Sequence, residues 1–312
     1  MSGFAFARHE TFYIRDGWLY KGILAIDENP LFFSHEDAPQ RLGLGKNMVK
    51  SLRYWMIATG LAKERTQSEG RGLELTRFGS LVLAHDPHQE LDGTLWLLHY
   101  HLVANREIAT AWYWFFNHYV PTKFHREEFM ERLTQWVNLS SEEVKSAVSL
   151  SRDFDCLVRT YMPNLRNKNP ENTLQSPLSS LGLFTEIDHH DEKADHIKRF
   201  RLNAMKANNI PPLIFLYVML KSQGVNAQQI SLTNALREPK NVGRVFNIGS
   251  QTLEELLIRL DETYPEFSID LVRTGGLDQL TLPNVAPEEV LEIFYTRNKD
   301  SEDVRVWSFQ IS

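Results

Sequence analysis

The segment from Asp37 to Gly79 constrains the fold of this chain more than any other. Asp37 is placed to cap a short helix with Pro39 inside its first turn, and that helix stops at Gly43. A three- or four-residue connection, LGLG, leads into KNMVKSLRYWMIATG. There Met48, Val49, Leu52, Trp55 and Met56 share one face, and Gly60 supplies the stop. Two short strand-like pieces around Gly70-Arg71-Gly72 follow, then a helix from Thr76 to about Ala84. Helix, tight turn, helix and hairpin in this order predict an N-terminal winged helix-turn-helix.

Such domains lay the second helix in the major groove while the wing touches the flanking backbone. Lys46, Asn47, Lys50, Arg53 and Tyr54 are expected on the polar face of that helix. Lys and Arg suit phosphates, and Asn47 suits a base edge. Arg71, between two glycines, falls at the expected wing tip. Charge is distributed to match. The chain carries −6 overall, but Arg41 to Arg77 holds eight basic residues against three acidic ones, +5, leaving about −11 elsewhere. A basic island in an acidic protein suits localised contact with double-stranded DNA. The alternative is a winged helix that contacts only protein.

The remaining sequence reads as mainly α with small β wings. With 312 residues, 42% hydrophobic and 24% charged, it has the composition of a folded chain of about two domains. Residues 11 to 26 carry apolar positions at helical spacing, ended by Asn29-Pro30. Gly93-Thr94 opens a long aromatic-rich helix expected to run to Val120 at the centre of a helical bundle, with His99, His101 and His118 as core or boundary residues. Two helices are expected over 124 to 162, the second starting at Ser140-Ser141-Glu142-Glu143, and an Asn- and Pro-rich connection spans Pro163 to Ser180. Pro211-Pro212 precedes an apolar helix. Ile230 to Arg237, Thr252 to Thr263 and the strands FSIDLVRT and LDQLTL about Gly275-Gly276 then give a second winged-helix-like order. The expected units are 1–85 (DNA-binding), 86–165 (central helical) and 166–312 (C-terminal).

Several function classes are excluded and a few remain. Apolar runs are broken well before the roughly 20 residues of a membrane span, and no secretory signal is visible. One cysteine, Cys156, allows neither an internal disulfide nor a cysteine-based metal site and suits a reducing cytoplasm. Lys46 follows glycines, but the P-loop spacing is missing, and no Ser-His-Asp or Gly-x-Ser-x-Gly arrangement is present. The acidic loop Asp86 to Asp92 has two readings. Asp86, Glu90 and Asp92 could hold Mg2+ or Mn2+ for phosphodiester cleavage, or the loop caps the Thr94 helix with Asp92 near its positive end. His9-Glu10, beside an aromatic run with Arg15 near, is a second polar pair, catalytic or simply hydrogen-bonded. His189, His190, Asp191, Asp195 and His196 read as a polar surface loop, and Asp153, Asp155 and Cys156 show no sign of an activated thiolate.

Three long strings, FARHETFYIRDGWLYKGI, LGLGKNMVKSLRYWMIATGL and LTRFGSLVLAHDPHQELDGTLWLLHYHL, with WYWFFN, resemble the bacterial SspB-like family, long catalogued as a domain of unknown function. SPLSSLGLF, VGRVFNI and GGLDQLTL extend the resemblance more weakly over nearly the whole chain. The resemblance implies a role in DNA phosphorothioation, in which sulfur replaces a non-bridging phosphate oxygen. It implies partners, an ATPase and an adenylating sulfurtransferase, beside a cysteine desulfurase, and leaves homo-oligomerisation open. It further implies DNA nicking within an antiphage defence system, and the acidic loop's own residues Asp86, Glu90 and Asp92 are the candidates for a metal-dependent site. A non-catalytic subunit that positions DNA for its partners is the alternative. No catalytic residue of the family is carried over.

Overall fold

The computed structural model describes residues 3–67, 70–140, 146–163, 175–187, 197–223, 229–274 and 277–309. His189, His190, Asp191, Asp195, His196 and Gly275-Gly276 lie outside the described residues, as do Ser141 to Glu143 and most of the 163–180 connection. The chain is mostly helical with small antiparallel sheets.

Residues 11 to 16 are not helical, contrary to their spacing. Thr11 takes φ +70°, and helix α1 (Trp18–Glu28) starts only after Gly17 at φ +76°. Ile14 is nonetheless fully buried, so its apolar position records packing rather than helix. After α1 come α2 (Ala38–Leu42), ended by Gly43 at φ +64°, and α3 (Lys46–Ala58). Gly22 lets α1 close on α3, since a Cβ there would lie 2.5 Å from Met56 Sδ. Strands β1 (Ala62–Gln67) and β2 (Gly70–Leu75) pair antiparallel from Ala62↔Leu75 to Gln67↔Gly70. Pro30 accepts the Leu73 N–H at 2.8 Å, fastening the end of the α1 connection to the hairpin.

Thr76 caps α4 (Arg77–His85) by accepting the Gly79 N–H at 3.0 Å. Helix α5 (Asp92–Ala104) is buried on almost every side. The expected single helix to Val120 is broken here. Asn105 accepts the Ile108 N–H at 3.2 Å, and α6 (Thr110–Trp114) continues through a wider turn over Phe115–Tyr119. Asn117 donates to Val103 O at 2.9 Å and Tyr113 O at 2.8 Å, so a buried amide ties the break together. His99 accepts the Tyr161 hydroxyl at 2.7 Å and donates to Val245 O at 2.8 Å. Burial lowers its pKa to about 4, which leaves it a neutral core residue.

Helix α7 (Arg126–Ser140) ends where a helix start was expected, and α8 (Ala147–Tyr161) begins after Ser146. Strands β3 (Lys123–Phe124), β4 (Phe184–Ile187) and β5 (Arg199–Leu202) form a small sheet in the order β3-β5-β4. The C-terminal part runs α9 (Pro212–Gln223), β6 (Gln229–Ser231), α10 (Leu232–Arg237), α11 (Val242–Val245), α12 (Ser250–Thr263), β7 (Asp270–Thr274), β8 (Leu277–Thr281) and α13 (Pro287–Phe309). Its sheet order is β6-β8-β7. No helix among the described residues is long and apolar enough to cross a membrane.

Gly79 stands where α4 passes the turn between α3 and β1. A Cβ there would lie 2.0 Å from Leu61 O, a backbone atom that cannot swing aside. Gly79→Ala is therefore expected to cost about 1–3 kcal/mol through overpacking, read as a lower urea midpoint with an unchanged m-value. A neutral outcome would show that α4 is free to shift.

Candidate nucleic-acid interface

Five cations of the 41–77 island are already matched by carboxylates. Arg41 pairs with Glu28 at 2.6 Å, Arg53 with Glu64 at 2.9 Å, Lys63 with Glu74 at 3.0 Å and Arg65 with Glu74 at 3.6 Å, while Arg77 pairs with Glu292. Among the described residues, no carboxylate pairs with Lys46, Lys50 or Arg71. All three are exposed, as is Asn47. The available positive charge thus gathers on the first turns of α3 and on β2. Two expectations change in detail. Tyr54 is buried rather than on the polar face, and Arg53 is half-buried and held by Glu64. Arg71 lies on β2 opposite Thr66, one pair in from the Gln67↔Gly70 end of the ladder.

An open recess of about 820 Å³ adjoins this face. One wall is α3 with Lys50, Arg53 and Ile57, and the other is the N-terminal segment with Phe6, Arg8 and Glu10. Glu107 and Ile108, from the break after α5, close one end. The N-terminal segment follows an unusual path, with Ala7, Glu10 and Thr11 all at positive φ (55°, 50° and 70°). Such backbone persists only where its surroundings over-determine it.

Here the surroundings are the buried side chain of Asp153 on α8. One of its oxygens, Oδ1, accepts the Ala7 N–H at 3.0 Å and the His9 Nε2–H at 2.7 Å, and the Thr11 backbone nitrogen lies 3.2 Å from His9 Nδ1. His9 is fully buried between Trp55, Trp112 and Tyr54. Burial alone would lower its pKa, but Cys156 and Asp153 beside it outweigh that and push it up to about 10. Burial also raises the Asp153 carboxyl, with the hydrogen bond from His9 acting against the rise. His9 is thus a buried anchor that reaches no substrate, whereas Glu10, its neighbour, faces the recess. Sequence alone noticed both residues and could not separate their roles, because the partner is 144 residues away.

The 86–92 loop is built differently from the expected metal site. Asp86 is buried, and its two oxygens accept the N–H groups of Glu90 at 2.8 Å and Leu91 at 3.1 Å. Burial pushes its carboxyl up, against the lowering effect of Thr94 and these amides. Asp86 braces the loop, Leu91 precedes the first turn of α5 without a side-chain cap, and Asp92 stands in that turn near the positive end of the helix, as expected. Glu90 and Asp92 are exposed. Helix α13 covers the neighbouring surface. Tyr295 and Thr94 hydroxyls meet at 2.9 Å, and a Cβ on Gly93 would lie 2.2 Å from the Phe294 ring. Among the described residues, no three His, Cys, Asp or Glu side chains group so as to hold a metal ion.

Residues 6–295 match the family described as protein of unknown function DUF4007. Among solved structures, a magnesium ion-bound SspB crystal structure is similar at TM-score 0.81 and 31% identity, covering 94% of this chain and 88% of that one. A second SspB crystal structure gives TM-score 0.81 and 30% identity over the same shares. No curated protein matches by sequence.

The His9–Asp153 pair makes stability depend on pH in a defined direction. A histidine at about 10 when folded and 6.5 otherwise contributes stability that is fully present below pH 6.5 and lost as pH rises through 10. Denaturant titrations of the wild type and His9→Gln should therefore show a gap that narrows steadily from pH 6.5 to 10. A constant gap would mean that His9 is neutral in the fold.

Proposed function

The chain belongs to the DUF4007 family, in its SspB-like branch, and on that footing we propose that it binds double-stranded DNA within a bacterial phosphorothioation-linked antiphage system and nicks one strand. The observation that carries the DNA reading is the placement of unmatched charge. Lys46, Lys50 and Arg71 are exposed and have no carboxylate partner among the described residues, beside Asn47, while the other cations of the island are paired. We read α1, α2, α3 and the β1–β2 hairpin as a winged helix-turn-helix, with α3 toward the major groove and β2 toward the backbone. Arg53, held by Glu64, contributes to its shape and gives a phosphate less.

The C-terminal part follows a similar order with the opposite charge. Helix α12 exposes Glu255, Asp261 and Glu262, which repel a phosphate backbone. We therefore assign DNA to the N-terminal unit and leave the C-terminal one for protein contacts, the ATPase and sulfurtransferase partners among them.

For nicking, the metal expected is Mg2+ or Mn2+, and a similar solved structure is described as magnesium ion-bound. Mg2+ is commonly held by one or two carboxylates, with phosphate and water supplying the rest. Glu90 and Asp92 are exposed and can serve in that way, whereas Asp86 supports the loop beneath them. A bound metal would stabilise charge on the phosphoryl oxygens. The second reading, a DNA-positioning subunit that cuts nothing, is favoured by one observation: both oxygens of Asp86 already accept backbone amides, from Glu90 and Leu91.

Two measurements decide these points. Supercoiled plasmid should become open circle with Mg2+ or Mn2+ and stay closed with chelator, and Glu90→Gln with Asp92→Asn should abolish this while DNA affinity persists. Tight binding with no nicking by the wild type selects the positioning reading. Reversing Lys46, Lys50 and Arg71 to Glu should weaken duplex binding and flatten the slope of log affinity against log salt by about 2–3. An unchanged slope would remove α3 and β2 from the interface.

A further inference from the structure

The recess beside α3 is shaped for something other than a phosphate backbone. A backbone track needs only positive charge, and a regular duplex keeps the faces of its bases stacked out of reach. This recess has a charged rim, Arg8 and Lys50, around apolar walls formed by Phe6, Ile57 and Ile108. Its volume, about 820 Å³, lies within the roughly 300–1,000 Å³ of small-ligand sites. Glu10 and Glu107 stand in the same lining. Their carboxylates oppose a second phosphate, yet they offer acceptors to the amino groups of a base.

We propose that this recess receives a single unpaired nucleotide of the DNA bound by α3, its base between Phe6 and Ile108 and its phosphate at Lys50 and Arg8. The proposal rests on the DNA-binding reading and adds to it a site that reads the nucleotide outside the helix. Lys50 belongs to both surfaces, on α3 and on the recess rim, so a strand contacting α3 is already beside the opening. The wall is preformed rather than induced. Ala5 donates its N–H to Thr110 at 2.9 Å, Ala7 donates to Asp153 at 3.0 Å, and His9 is locked behind it. These bonds fix the left-handed residues that turn Phe6 and Glu10 along the cavity. Preorganisation of this kind lowers the ordering cost of taking up a base.

The test compares two fluorescein-labelled duplexes of identical sequence, one fully paired and one carrying a single bulged adenosine. Anisotropy titrations of the full chain should show the bulged duplex bound roughly tenfold more tightly, the scale of one base stacked on protein. Phe6→Ala should erase that preference while leaving affinity for the paired duplex unchanged. Ile108→Ser, at the closed end of the recess, should do the same, and serves where circular dichroism shows Phe6→Ala to be misfolded. Equal affinity of the wild type for both duplexes overturns the recess proposal and leaves the DNA reading intact. A preference that survives in a folded Phe6→Ala or Ile108→Ser protein overturns it equally. Failure of the wild type to bind either duplex removes the DNA reading and the recess with it.

Discussion

A carboxylate taken out of water calls for partners, and the two hydrogen bonds that Asp153 accepts, both at Oδ1, come from the chain's first dozen residues. The amide of Ala7 and the ring of His9 converge on one of its oxygens, at 3.0 and 2.7 Å. Removing one member of such a buried pair leaves an uncompensated charge, a loss on the order of 3–5 kcal/mol. The pair therefore fixes the N-terminal segment against α8, and through it against α3. Everything on the candidate DNA face inherits this placement. Trp55 of α3 donates its ring N–H to Phe12 O at 2.9 Å, and Ser51 reaches the same carbonyl at 3.3 Å, so the segment and the helix are one surface.

The N-terminal and C-terminal parts are also locked together, by α13. Its Tyr295 hydroxyl meets Thr94 at the start of α5, its Glu292 pairs with Arg77 on α4, and its Phe294 fills the space that Gly93 leaves open. The same helix lies against α9. This seam explains why the 86–92 loop is structural at its root: Asp86 holds the turn, and only Glu90 and Asp92 look outward. Charge differs between the two parts: α3 exposes Lys46 and Lys50, whereas α12 exposes Glu255, Asp261 and Glu262.

Local signals in the sequence were read well where the physics is local. Gly43 and Gly60, both at positive φ, end their helices where glycine tolerates the left-handed backbone. Thr76 caps its helix through its own hydroxyl, and the alternation of β7 and β8 survives as a ladder. The long helix through Val120 failed for a nonlocal reason. Asn117 and Asn105 satisfy backbone groups at a break that apolar periodicity cannot register. Residues 11 to 16 failed likewise, since Ile14 is buried by packing while its backbone is not helical.

By itself the sequence determined that the chain is mainly helical, that two helices joined by a short turn precede a hairpin near its start, and that positive charge gathers there. It also carried the family, because long strings of residues are a property of the sequence. Tertiary structure decided which of those charges are available. Arg53 and Glu64 are eleven residues apart, Arg77 and Glu292 are 215 apart, and only folding brings each pair into contact. It decided too that His9 is an anchor and Glu10 a lining residue, although they are adjacent. Charge and type are written residue by residue, but a charge acts according to what neutralises it, and its neutralising partner is chosen by the fold.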